Sequence, residues 1–188
     1  MGWPLRVEAP GAIYHVTSRA IEPMFVNDAD RERFLALLAR QVRDHGWICH
    51  AYCLMSNHVH LLLETPEPTL ATGMRTLLSR YARGFNRRQG RRGPLVERRY
   101  HALLIEKESH LLEVSRYVVL NPVRAGLCAD PSEWLWSSYR ATVGLHRVPR
   151  FLATQWLLDQ FGGSVELYRG FVADGAPSAS LDGLLAAA

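Results

Sequence analysis

The amino-acid sequence predicts an α+β domain with a four-stranded antiparallel sheet, and three observations carry that prediction. Four short runs are rich in alternating or β-branched residues, apolar positions at helical spacing separate them, and two runs are joined by only three residues. The first run, Ala12 to Arg19 (AIYHVTSR), alternates apolar with polar residues and reads as a strand. Asn27-Asp28 then offers an N-cap ahead of Phe34, Leu37, Leu38 and Val42 at helical spacing, and His45-Gly46 closes that helix. Trp47 to Leu54 and His58 to Glu64 are two further strands around Met55-Ser56-Asn57, a connection short enough for an antiparallel hairpin. After Pro66 and Pro68, a second helix places Leu70, Met74, Leu77, Leu78, Tyr81 and Phe85 on one side and Arg80, Arg83 and Arg87 on another.

Gln89 to Pro94 carries the turn residues of a loop, and Val96 to Ile105 (VERRYHALLI) reads as the fourth strand. A third helix is expected from about Glu108 to Leu120, stopped at Asn121-Pro122 because proline lacks the amide hydrogen and crowds the preceding turn. The order β-α-β-β-α-β followed by that helix is the ferredoxin-like plan, with two helices on one face of the sheet; the plan hosts many functions and names none. Farther on, Trp134 to Tyr139 (WLWSSY) and an amphipathic segment from Phe151 to Phe161 read as a helical addition to this core. Ala173 to Ala188 has little to bury and is expected to be disordered or weakly docked.

Composition narrows the function classes. In 188 residues, 48% are apolar and 21% charged, and no apolar run approaches the roughly 20 residues of a membrane span. Met1 to Arg6 shows no charged region leading into an apolar one, so no secretion signal is read there and a cytoplasmic location is expected. Cys49, Cys53 and Cys128 are an odd count without Cys-x-x-Cys spacing, which argues for reduced, buried thiols; Cys49 and Cys53 are expected to share a strand face. Between Arg75 and Arg99 nine arginines face one acid, Glu97, so that window is +8 within a chain of net +4. Clustering of this kind is the electrostatic footprint of a polyanion partner; codon bias accounts for arginine over lysine but not for the clustering.

Two constellations could carry chemistry. His58 and His60 lie two apart on a strand, so both side chains leave one face with Cα atoms about 6.5 Å apart, close enough to converge on one ion. Taken alone, the pair is also readable as a polar stripe. Tyr117 and Asn121 lie four apart near the end of the third helix and share its face, although a helix tyrosine packed on the sheet has the same spacing. Together they supply a hydroxyl nucleophile, two imidazoles and an amide oxygen, with coordination positions left for phosphate and water, a donor set suited to Mg²⁺ or Mn²⁺. Tyrosine attack on a phosphodiester conserves bond energy in a phosphotyrosine, so the chemistry is strand transfer and not digestion. His15, His50, His101 and His110 stand alone or on different elements and are read as structural or exposed.

The ordered segments PLRVEAPGAIYHVTSR, YCLMSNHVHLLLE, FNRRQGRRGPLVERRYHALLI, YVVLNPVRAGL and WLWSSY resemble the single-tyrosine HUH transposases, and among them the REP-associated tyrosine transposases, from about Pro4 to Tyr139. The resemblance implies a catalytic domain over residues 1–145 and an appendage over 146–188. It implies His58, His60 and Asn121 as ligands of Mg²⁺ or Mn²⁺, Tyr117 as the nucleophile, and single-stranded DNA with hairpin repeats as substrate. Arg80, Arg83, Arg87, Arg91 and Arg92 then become phosphate contacts, with Arg98 and Arg99 as additions. A metal-dependent endonuclease and strand transferase acting through a 5′-phosphotyrosine is the first reading, and a non-catalytic hairpin-binding protein is the alternative. Monomer and homodimer stay open. The chain departs from the family pattern at Met55-Ser56-Asn57, where Met-Pro-Asn is common, at Val96-Glu97-Arg98-Arg99-Tyr100, where Phe-Gln-Gly-Arg-Tyr is common, and at Arg19-Ala20-Ile21 in place of Arg-Gly-Asn.

Overall fold

A computed structural model describes residues 8–105 and 108–175, with the side chains of 108 and 109 outside the description. Four strands, β1 (Ala12–Arg19), β2 (Ile48–Leu54), β3 (His58–Thr65) and β4 (His101–Ile105), form one sheet in the order β2-β3-β1-β4, each neighbouring pair antiparallel. Helices α1 (Asp28–His45) and α2 (Leu70–Gln89) make the two crossovers, which is the ferredoxin-like arrangement that the element order predicts. The helix α3 (Glu108–Arg124) follows β4. The C-terminal tail expected to be disordered lies, beyond Gly175, outside the described residues, as does the N-terminal Met1–Arg6 segment. No helix among the described residues is long and apolar enough to cross a membrane.

Strand alternation sorts the sheet into two faces. Ala12, Tyr14 and Val16 of β1, with Val59, Leu61 and Leu63 of β3, point to α1 and α2 and join Phe34, Leu38, Met74, Leu77, Tyr81 and Phe85 in the main core. The opposite face, carrying Leu62, Ala51 and Cys53, meets Leu111, Val114 and Val118 of α3 in a second core. α1 begins where its cap chemistry dictates: Asn27 accepts the amide of Asp30 at 3.1 Å, and Asp30 in turn accepts the Val26 amide and an ion pair from Arg88 of α2. It ends at Gly46 in the left-handed region, φ 64°. Gly73 lets α2 lie against Trp47, since a Cβ there would come within 2.3 Å of the indole ring.

Three expectations need correction. The fourth strand is only five residues long; the preceding chain makes a single bridge, Val96 to Ala20, and Tyr100 turns into the core. α3 does not stop at Asn121-Pro122 but carries Pro122 inside its last turn and continues to Arg124, because Ala125 and Leu127 still find the Asn121 and Pro122 carbonyls at 3.0 and 2.9 Å. Cys49 and Cys53 do not share a face. A bulge between Cys49 and Ala51 shifts the β2 register against β3, so Cys49 enters the main core and Cys53 the α3 core. All three cysteines are free thiols.

Beyond α3, a 3₁₀ turn (Pro131–Glu133) leads to α4 (Tyr139–Thr142), α5 (Gln155–Asp159) and α6 (Val165–Ala173). This chain runs along the β2 edge: Leu54 and Ala153 donate to the Trp136 and Cys49 carbonyls, and Ser138 to that of Tyr52, at 2.8 to 2.9 Å. An otherwise open sheet edge is thereby paired. Tyr139, Leu157, Tyr168 and Val172 build a third core against Val119 and Leu120 of α3.

Candidate active site

The site is built on the α3 face of the sheet. Register pairs His58 with Arg19 and His60 with Thr17 on β1, and alternation sends His15, Thr17, His58 and His60 to the same side. The two sequence-predicted histidines therefore do come together, with ring centroids 5.0 Å apart. The three-residue turn Met55–Asn57 is pinned by the Ala20 and Met24 amides, which donate to the Asn57 and Ser56 carbonyls at 2.7 and 3.0 Å. That turn sets Asn57 so that its side-chain oxygen lies 2.8 Å from His58 Nδ1. An amide oxygen only accepts, so His58 carries its proton on Nδ1 and keeps a lone pair on Nε2 for a ligand.

α3 supplies the rest. Tyr117 stands edge-on to His60, centroids 5.8 Å apart and rings at 80°. Arg124, two turns farther along the same helix, places its guanidinium 4.9 Å from the Tyr117 ring centroid in a cation–π contact. Asn121 is one turn on from Tyr117; its Nδ2 donates to the Tyr117 carbonyl at 2.9 Å, which leaves Oδ1 as the free acceptor. His60 Nε2 is buried and has no hydrogen-bond partner among the described residues.

Burial keeps these imidazoles neutral. It lowers His58 to about 4, helped by the Arg19 charge, and lowers His60 well below its ordinary value, helped by His15, His58 and Arg19. Neutral imidazole is the form that binds a cation. The His58 Nε2 lone pair, the buried and unpartnered Nε2 of His60 and the Asn121 amide oxygen are donor types that suit a hard or borderline divalent ion. Among the described residues no three His, Cys, Asp or Glu side chains form a metal cage, so any ion held here depends on amide or non-protein oxygens as well.

Sequence reading missed His15. Far from standing alone, it is fully buried, its Nε2 lies 3.0 Å from His60 Nδ1, and its ring meets Tyr117 as His60 does, at 5.8 Å and 80°. The signal was present but needed the sheet order: only once β1 is known to pair with β3 does a histidine in β1 fall beside one in β3. Burial, with His101 nearby, lowers His15 to about 4. His50 is not alone either; it is the residue displaced by the β2 bulge and it meets Glu64 at 3.0 Å, away from the site.

The arginines divide. Arg80, Arg83 and Arg87 are exposed on α2, the layer on the far side of the sheet from the histidines. Arg91 is half-buried, paired with Glu22 at 3.1 Å and resting on Phe85, while Arg92 is exposed. Arg98 and Arg99 are exposed on the segment that runs antiparallel to the end of β1, where Glu97 donates to the Arg19 carbonyl. Because Arg19 pairs with His58, this second group lies at the site's end of the sheet.

Comparison with known proteins bears on the family and the fold. The family model described as transposase, IS200-like, matches residues 11–121, which run from the start of β1 to Asn121. A protein of Haemophilus influenzae assigned as a REP-associated tyrosine transposase is 29% identical over 104 residues, 50% of this chain; the match spans only 59% of that relative's length. A solved structure of a REP-associated tyrosine transposase bound to a REP hairpin shares the fold, with a TM-score of 0.66 at 17% identity, over 81% of this chain and 92% of the other.

Proposed function

Because the chain belongs to the IS200-like transposase family, we propose that it is a single-strand-specific DNA endonuclease and strand transferase that acts on hairpin-containing DNA through a 5′-phosphotyrosine on Tyr117, with Mg²⁺ or Mn²⁺ held by His58, His60 and Asn121. The observation that carries this reading is the seating of a helix tyrosine edge-on against a neutral His-x-His pair whose inner nitrogen, His60 Nε2, is buried without a partner. When bound, a divalent cation supplies positive charge to the phosphate oxygens. Tyr117 gives up its phenol proton and forms the oxygen–phosphorus bond while the bond to the 3′-oxygen breaks and that oxygen takes up a proton; attack by another 3′-hydroxyl reverses the exchange and releases the tyrosine. The contact with His60 and the Arg124 cation over the ring hold the phenol in place, which is a contribution of positioning.

The substrate class is carried over from the relative solved with a REP hairpin, and the exposed arginines support it. The domain reading, a catalytic unit over 1–145 with 146–188 appended, stands as part of the same proposal, as does a cytoplasmic location. A labelled hairpin oligonucleotide with a single-stranded flank, incubated with the protein and Mn²⁺, is expected to give a covalent adduct that survives denaturing electrophoresis. Tyr117→Phe is expected to lose the adduct completely while binding the hairpin as before. An adduct that persists in Tyr117→Phe removes the nucleophile assignment; a wild-type protein that binds hairpins but neither nicks nor couples to them with Mn²⁺ is a non-catalytic hairpin-binding protein.

A further inference from the structure

Holding a metal with His58 and His60 leaves one contact unexplained, the bond between His60 and His15. Their rings are within 6° of parallel with centroids 5.2 Å apart, and Nε2 of His15 lies 3.0 Å from Nδ1 of His60. That centroid separation is close to the nitrogen–nitrogen distance plus one ring radius at each end. The rings therefore meet edge to edge in a common plane and are not stacked face to face. In that arrangement an N–H on one ring aims along the lone pair of the other. Tyr117 stands across the joined pair, its ring at 80° and 5.8 Å to both.

One hydrogen serves the His15–His60 bond, and its owner decides what His60 can do. If His15 donates it from Nε2, neutral His60 must keep its own hydrogen on Nε2 and has no lone pair to offer a cation. If His60 donates it from Nδ1, Nε2 becomes a ligand. The neighbouring histidine is the precedent within the site: Asn57 accepts from His58 Nδ1 and leaves His58 Nε2 as the lone pair. We propose that His15 is a positioning residue of the metal site, which accepts the Nδ1–H of His60 on its own Nε2, fixes His60 as an Nε2 ligand and extends the flat surface against which Tyr117 is seated. This rests on the metal-binding reading above. Asn57 and His15 then form a matched outer pair, one amide and one imidazole, each setting the tautomer of one ligand.

The test compares two variants. His15→Phe keeps a flat ring against Tyr117 and removes the acceptor; His15→Gln gives up the ring and retains an acceptor oxygen. Mn²⁺ affinity, read from the electron paramagnetic resonance of the free ion, is expected to fall about 10- to 100-fold in His15→Phe, the usual cost of losing an outer-shell partner. His15→Gln is expected to recover most of it. A packing role predicts the reverse ranking, so a Phe variant that binds Mn²⁺ as tightly as wild type, or more tightly than the Gln variant, overturns the inference. Long-range proton–nitrogen spectra of the wild-type protein at saturating Mg²⁺ need no variant; they are expected to show His60 protonated on Nδ1 and not on Nε2, and the opposite assignment also overturns the inference. A wild-type protein that binds no Mn²⁺ removes the metal reading and the role of His15 with it, whereas equal binding by wild type and His15→Phe removes only the latter.

Discussion

On the α1 and α2 side of the sheet, Tyr14, Val16, Val59, Leu61 and Leu63 are buried among apolar and aromatic residues, and the buried charge at that layer's edge, Asp30, is met by Arg88 and by the Val26 amide. On the α3 side the same two central strands present His15, His58 and His60, and two of their buried nitrogens, His15 Nδ1 and His60 Nε2, have no partner among the described residues. An unpartnered buried polar atom costs about 1–3 kcal/mol; the α1 and α2 face of the two central strands carries one, Ser18 Oγ, whereas the α3 face carries two, both on imidazoles that lie beside Tyr117. The apolar face specifies the fold; the histidine face uses some of that stability to keep ring nitrogens unpaired beside Tyr117.

The largest effect belongs to the apolar face. Phe34 is fully buried, edge-on to Phe25 at 5.6 Å and to Tyr81 at 5.2 Å, so Phe34→Ala is expected to destabilise the protein by about 3–5 kcal/mol, measured as a lower urea midpoint at unchanged slope. The histidine face should respond in the opposite sense. His15→Phe/His60→Leu removes both partners of a buried bond together with both unpartnered nitrogens, and is expected to leave stability at neutral pH unchanged or raised by about 1 kcal/mol while abolishing Mn²⁺ binding. The same double variant should weaken the acid response of the metal-free protein, of which His58 keeps a part. An unfolded chain takes up protons on histidine below about pH 6.5, whereas folded His15 and His58 refuse them until about 4, so wild-type stability is full above that window and falls as pH drops through it. A wild-type protein whose urea midpoint is flat from pH 7 to pH 4, or a double variant as destabilised as Phe34→Ala, contradicts this contrast between the faces.

What the sequence shows directly is whatever local chemistry decides. Asn27 and Gly46 bound α1 as their cap preferences require, and Leu70, Met74, Leu77, Leu78, Tyr81 and Phe85 of α2 are all buried as their spacing implies. His58 with His60, and Tyr117 with Asn121, are close in the chain and therefore visible as pairs. Hidden features depend on partners that periodicity does not reveal. The β2 bulge at His50 reverses the facing of every later residue in that strand, which no alternation pattern in Cys49 to Cys53 announces. Pro122 looked like a stop because local rules treat it so, yet packing of α3 on the sheet and on α6 holds its last turn together. His15 is separated from His60 by 45 residues, and only pairing of β1 with β3 brings them together.

The arginines repeat the division between the two faces at the level of substrate. Arg80, Arg83 and Arg87 lie on the apolar core's outer layer, and Arg98 and Arg99 at the end of the sheet where His58 sits, all exposed and so of little consequence for stability, within about 0.5 kcal/mol each. If the hairpin stem tracks α2 and the strand to be cut passes the histidines, the groups should separate in kinetics. Arg80→Ala/Arg83→Ala/Arg87→Ala is expected to weaken hairpin binding and to lower the slope of log Kd against log salt by about 0.7–0.9 for each phosphate left without its arginine, with the cutting rate at saturating DNA unchanged. Arg98→Ala/Arg99→Ala is expected to lower that slope by a smaller total, because only two charges are removed, and also to slow cutting at saturation, since a strand held loosely beside Tyr117 reacts less often. Filter binding over a salt series and single-turnover nicking measure both quantities on the same proteins. Equal effects of the two sets on saturated cutting would mean that the stem and the cleaved strand share one surface, and that the layer beneath α2 takes part in positioning the reactive phosphate.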